Sequence, residues 1–382
     1  MKALRVPSLL LLIILFEISC SKDPAFQPDK YDWHTYIDIP NTPYNYAKPP
    51  LPAFFNNQFI THQDNTPTHN PITDWGATLG RVLFYDKQLS INHSISCASC
   101  HKQEFGFTDT AQFSIGAHGG RTHRHSMSLI NTRYYHNGRF FWDERAETLE
   151  DQVIQPILDS IEMDMNIPLL LQRLRQSPYY PYLFTQAFGD QQINTDRIAK
   201  ALAQFVRSII SYRSKYDKAL ASSSGSQKDF DSFTSEENLG KKIFMNNLAV
   251  NCAGCHNTEV YISDAARNNG LQIDNKDPGI YTHTQNEADK GKFKSPTLKS
   301  VMLRSRFMHN GSLKGIGAVI DHYDHGILPN PNLDPHLQQL PSLTPVTMNL
   351  SSTEKKALIA FLETLTDYEL AQDKKFANPF TK

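Results

Sequence analysis

The chain has 382 residues, and its 38 Lys and Arg against 39 Asp and Glu leave a net charge of -1 at pH 7. No overall field draws such a chain to nucleic acid or to anionic lipid. Hydrophobic residues make up 40% and charged residues 20%, a composition that excludes disorder of the whole chain, and the length is enough for two or three domains of ~100 to 200 residues each.

Met1 to Cys20 starts with Lys2 and Arg5, continues as an apolar run from Leu9 to Phe16 and ends in Ile18-Ser19-Cys20. This is the layout of an export signal, and the run falls short of the ~20 apolar residues that a membrane span needs. Ile18-Ser19-Cys20 is similar to a bacterial lipobox, which implies lipidation of Cys20, although Glu17 stands where an apolar residue is usual. A simple secretory signal and an uncleaved anchor are the alternatives. All three place the bulk of the chain outside the cytoplasm, in the periplasm or cell envelope, with the membrane touched only through an anchor. Residues 21–71 hold nine prolines with aromatics between them, and read as an extended N-terminal arm.

From Leu79 the sequence becomes periodic and repeats itself. Leu79-Gly80-Arg81-Val82-Leu83-Phe84 has a counterpart in Leu239-Gly240-Lys241-Lys242-Ile243-Phe244, which implies two related domains. Between them, Ile198, Leu202, Phe205, Val206 and Ile209 recur at helical spacing after the capping run Asn194-Thr195-Asp196. The serine-rich stretch 220–233 reads as a linker. The second domain opens on the capping box Thr234-Ser235-Glu236-Glu237 and closes on a helix from Ser351 through Leu358, Phe361, Leu362 and Leu365. Domains are thus expected at 72–219 and 234–370, with a tail at 371–382. Convincing alternating strands are absent, so the fold is expected to be mainly α, with two cytochrome c-like domains and long ligand-bearing loops.

Four of the five cysteines fall into two tight pairs, each followed by histidine: Cys97-Ala98-Ser99-Cys100-His101 and Cys252-Ala253-Gly254-Cys255-His256. Cysteines three apart on one helical turn face the same way, so both sulfurs can form thioethers to the two vinyl groups of one haem. The adjacent histidine then supplies an imidazole to the iron. A zinc site of thiolates or a redox dithiol would use similar residues, but no βαβ context for a dithiol is visible. Covalent haem c, two per chain, is the reading that export also favours.

Several stretches resemble the bacterial di-haem cytochrome c peroxidases and the related MauG-type di-haem oxidases. They are Leu83-Phe84-Tyr85-Asp86, Phe141-Trp142-Asp143-Glu144-Arg145-Ala146, Leu149-Glu150-Asp151-Gln152, Ile161-Glu162-Met163, Lys294-Ser295-Pro296-Thr297-Leu298 and Phe307-Met308-His309-Asn310-Gly311-Ser312. The likeness runs from about residue 75 to 370 and omits the arm. It implies a peroxidatic haem on Cys97, Cys100 and His101 and an electron-entry haem on Cys252, Cys255 and His256. It also places Trp142 between the haems as an electron relay, Gln152 ten residues on and Glu162 ten further on. A carboxylate over the peroxidatic haem can move a proton from one peroxide oxygen to the other, which suits Glu162. An amide can orient the peroxide without competing for its proton, which suits Gln152.

The resemblance implies further ligands. Ile115-Gly116-Ala117-His118 is similar to a mobile loop whose histidine blocks the peroxidatic haem, making His118 the candidate distal ligand. Tyr323 lies 26 residues beyond Thr297, where peroxidases of the family carry methionine and MauG-type oxidases carry tyrosine; Met308, His322 and His325 are alternatives. A family calcium ion would match His125, Arg304 and Arg306, the last two through backbone carbonyls, although histidine is a poor ligand for a hard cation. The expected activity is reduction of hydrogen peroxide to water with electrons from a small donor such as cytochrome c or a cupredoxin. A MauG-type oxidation of a protein side chain and a non-enzymatic di-haem electron carrier are the rivals. Family members often form homodimers, and no nucleic acid is expected as a partner.

Overall fold

A computed structural model describes residues 33–246, 252–256, 260–263, 265–274 and 276–381. The export signal and Cys20 lie outside the described residues.

The principal helices are α1 (Asp74–Tyr85), α2 (Cys97–Cys100), α3 (Leu149–Leu158), α4 (Tyr180–Phe188), α5 (Thr195–Ser208), α6 (Ser235–Asn246), α7 (Cys252–Cys255) and α8 (Ser352–Thr364). Side chains that lack a place inside a helix start several of them. Thr73 accepts from Gly76 N at 3.0 Å before α1, and Asn194 accepts from Arg197 N at 2.9 Å before α5. Ser351 and Glu354 form a reciprocal box at α8, as Thr234 and Glu237 do at α6. The strands among the described residues are two short antiparallel pairs. One joins β1 (Arg306–Phe307) to β2 (Leu313–Lys314), with Phe307 opposite Leu313; the other joins β3 (Gln338–Gln339) to β4 (Thr344–Pro345). The protein is therefore mainly helical.

The internal repeat has a packing reason. In the first half α1 crosses α5, and a Cβ on Gly80 would overlap the Ala201 carbonyl and the Phe205 side chain. In the second half α6 crosses α8, and a Cβ on Gly240 would overlap the Ala357 carbonyl and the Phe361 side chain. Only glycine allows backbones this close. Beside each crossing an aromatic pair fills the gap, Phe84 with Phe205 at 5.2 Å and Phe244 with Phe361 at 5.3 Å between centroids. Such pairs add ~0.5–1.5 kcal/mol beyond their burial. The next residue of the repeat is a buried cation in both halves, and each donates to backbone carbonyls: Arg81 to Lys374 O and Lys241 to Ser226 O.

Residues 33–46, within the stretch read as an arm, contribute Trp33, Ile37, Ile39 and Tyr46 to the core of the first half. The same core takes Leu370 and Phe376 from the far end of the chain. Backbone bonds join the two segments, including Asp38 N to Pro379 O at 2.6 Å. Proline-rich composition says only that these residues form no helix. It is silent about the apolar side chains they bring to someone else's surface. In the second half Leu220, Phe230 and Phe233, from the stretch read as a linker, are buried in that half's core. No helix among the described residues is long and apolar enough to cross a membrane.

Candidate active site

Each Cys-x-x-Cys pair occupies a single helical turn, α2 and α7, so the two sulfurs of a pair lie on one side. The histidine that follows is fixed by a carbonyl. His101 Nδ1 donates to Phe107 O at 3.0 Å and His256 Nδ1 donates to Tyr261 O at 3.2 Å. Burial lowers the pKa of both rings, that of His256 to about 4, so each is neutral with Nε2 left as a lone-pair donor. This is the state a metal-ligating imidazole requires.

A cavity adjoins each motif. The cavity of the second half is walled mainly by apolar side chains. Two polar atoms at its wall are buried without a partner, Arg304 Nε and His309 Nε2. Burial brings the Arg304 guanidinium down to about 10, and no carboxylate among the described residues pairs with it. Orphaned donors around an apolar slot suit a flat macrocycle carrying carboxylates. The donor set of Cys97, Cys100 and His101, and that of Cys252, Cys255 and His256, both fit haem c.

Around His101 the first half brings together the residues that sequence reasoning proposed. Gln152, on α3, and Glu162, on the loop after it, line the same cavity as His101. Neither side chain has a hydrogen-bond partner among the described residues, so both polar ends are available to a small molecule. Burial and the nearby Asp159 raise the Glu162 pKa to about 7, against the pull of Arg145. The loop is held by backbone bonds, Glu162 N to Asp159 O and Met163 N to Pro156 O. Trp142 lines both cavities, so it stands between the two motifs. Its indole donates to His125 O at 2.7 Å and its carbonyl accepts from Lys294 N at 2.8 Å, which fixes the ring.

His118 departs from expectation. It is exposed, does not line either cavity, and its Nε2 lies 2.9 Å from Asp164 Oδ2. The reason is local: Ala117 N bonds to Glu162 O, and Gly116 packs against the Ile161 carbonyl so closely that a Cβ there would clash. The loop is thereby pinned to the outside of the Glu162 segment.

In the second half Tyr323 and Met308 both line the cavity beside His256. Asn269 holds them, its Nδ2 donating to Met308 Sδ at 3.2 Å and to Tyr323 Oη at 3.4 Å. Burial pushes the Tyr323 phenol up to about 12, with the Asn269 bond acting the other way. Met308 has φ of 72°, a conformation that bulky residues seldom adopt and that is often found at functional sites. The alternatives His322 and His325 are elsewhere: His322 Nε2 bonds to Asn269 O, and His325 is an exposed partner of Asp324. Asn269, Lys294 and His309 were given no role by sequence reasoning. Lys294 and His309 fall in the quoted motifs, whereas Asn269 carries no local signal.

At the position expected to hold calcium, the His125 side chain offers no oxygen. The His125 ring turns both nitrogens to protein partners, Nδ1 to Ala111 O and Gln112 O and Nε2 to Thr108 Oγ1. Arg304 and Arg306 put guanidinium groups around the same hairpin, Arg304 bonded to Thr297 O and Lys299 O.

Comparison with known proteins agrees with this picture. A family model described as di-haem cytochrome c peroxidase matches residues 75–225. The chain is 30% identical to the methylamine utilization protein MauG of Methylophilus methylotrophus, over 86% of this chain and 92% of that one. It is 31% identical to the cytochrome c551 peroxidase of Nitrosomonas europaea, over 62% and 68%. Among solved structures, a MauG-like protein associated with microbial copper homeostasis superposes with a TM-score of 0.70 at 31% identity, covering 82% of this chain and 95% of that one. With paired haem-attachment turns, a carboxyl and an amide over one of them and a tryptophan between the two, the chain belongs to the di-haem cytochrome c peroxidase family, whose members are peroxidases and MauG-type oxidases.

Proposed function

We propose that this protein reduces hydrogen peroxide to water, with electrons from a small redox donor such as a cytochrome c or a cupredoxin. The observation that carries this reading is Glu162, a carboxyl beside His101 with no protein partner and a pKa of about 7. When bound to Cys97, Cys100 and His101, haem supplies the iron that holds and reduces the peroxide. Glu162 takes a proton from one peroxide oxygen and returns it to the other, which departs as water. A base with a pKa near the working pH does this in both directions. The Gln152 amide donates a hydrogen bond that orients the peroxide. Two electrons and two further protons complete two waters. The electrons enter through the half built on Cys252, Cys255 and His256, and Trp142 bridges the two halves. With His118 beside Asp164 and away from the cavity, the oxidised protein is expected to react with peroxide without prior reduction. Export of the chain fits, because haem c is attached outside the cytoplasm.

Tyr323 supports a second reading, a MauG-type oxidase that acts on a protein side chain. Tyrosinate is an anionic ligand that favours oxidised iron, whereas a thioether from Met308 would raise the potential. Stopped-flow absorbance after mixing the holo-protein with hydrogen peroxide, oxidised and then half-reduced, separates the readings. Turnover of a reduced cytochrome that is lost in Glu162→Gln identifies the peroxidase. A long-lived state with both haems oxidised, dependent on Tyr323, identifies the oxidase. Absence of reaction in either state leaves an electron carrier and removes both.

A further inference from the structure

The place where the family resemblance puts a calcium ion is where the two halves meet. The hairpin between β1 and β2 comes so close to the first half that a Cβ on Gly311 would lie 2.9 Å from Gln112 O. A calcium ion needs ~6 to 8 oxygen ligands, and carbonyls are its usual neutral ones. Here several carbonyls at the junction already accept from protein donors. Arg306 Nε donates to Thr110 O at 3.3 Å and its Nη1 donates to Gly311 O at 3.1 Å, so one guanidinium joins the first half to the second. Gln112 Nε2 donates to Asn310 O at 2.9 Å, and His125 Nδ1 occupies Ala111 O and Gln112 O. The nearby Asp109 carboxylate is held by Lys102 Nζ at 2.7 Å and Ser114 Oγ at 2.6 Å. A divalent ion added here would meet a fixed positive charge, and at His125 a ring in place of an oxygen ligand.

We propose that this chain joins its two halves without calcium, and that the Arg306 guanidinium stands in the place of the ion. A guanidinium suits that role, since its fan of N–H groups reaches several carbonyls in fixed directions and its charge is not lost at any ordinary pH. The junction also carries the contact between the cavities. Trp142 donates to His125 O and His125 N donates to His309 O at 2.8 Å, so the loop that Arg306 secures is the loop on which Trp142 rests. The inference stands whether the protein is a peroxidase or an oxidase.

The test uses the purified holo-protein. Elemental analysis after dialysis is expected to find calcium far below one ion per chain, and thermal unfolding is expected to give the same Tm in excess EGTA and in excess calcium chloride. Arg306→Ala is expected to lower Tm in EGTA. The double variant Arg306→Ala, His125→Asn, which removes the guanidinium and offers an oxygen ligand, is expected to regain Tm when calcium is added. One calcium ion per wild-type chain whose removal lowers Tm would overturn the proposal. So would an Arg306→Ala protein that melts like the wild type in EGTA.

Discussion

The two halves of this molecule are alike on one side of each attachment motif and unlike on the other. Glycine at a helix crossing, an aromatic pair, a buried cation on carbonyls and a histidine fixed through Nδ1 occur in both halves. Across the cavities the resemblance ends. The first half presents the free ends of Glu162 and Gln152, whereas the second presents Tyr323 and Met308 already held by Asn269. On the proposed function, the repeated frame attaches and orients two similar groups, and the residues across each cavity separate a half that does chemistry from one that passes electrons.

The comparison breaks most visibly at Glu162. Glu162→Gln keeps the shape and removes the titrating oxygen, so the rate constant for reaction with peroxide should fall by ~10² to 10⁴ in stopped flow. In the wild type the same rate should rise as pH passes upward through about 7, because the carboxylate is the form that accepts the proton. That rise should be absent from Glu162→Gln. The frame itself should break symmetrically. Gly80→Ala and Gly240→Ala each force two backbones apart and should each cost about 1–3 kcal/mol in thermal or denaturant unfolding. A large cost at one site and none at the other would show that the halves are not equivalent. The smallest change sharpens the difference between the cavities: Tyr323→Met should make the second haem roughly tenfold easier to reduce, a rise of ~59 mV in spectroelectrochemical titration. The first haem should keep its potential.

What could be read from the sequence was what local chemistry dictates. The cysteine spacing fixed the attachment turns, and Asn194, Ser351 and Thr234 marked helix starts that the structure contains. Gln152 and Glu162 meet over one cavity because the residues between them, α3 and its following turn, fold back on themselves. Contacts between distant segments left no such trace. His118 reads as a ligand by its neighbours in sequence, yet its loop is tied to the outside of the Glu162 segment. Asn269 touches Tyr323 across 54 residues, and nothing in the residues around it foretells that hydrogen bond. The arm shows the same limit, since proline content describes a backbone and not the partner that a buried Trp33 or Tyr46 will find.

Residues 370–376 are part of the first half's frame. Arg81 and Tyr85 on α1 and Tyr46 before it bond to the carbonyls of Lys374, Phe376 and Lys375, while Gln103 bonds to those of Leu370 and Asp373. The half that contains the first attachment motif is therefore completed by residues near 376, some 270 positions beyond it in the chain. Truncation before Leu370 is therefore expected to leave the core around the first attachment motif incomplete.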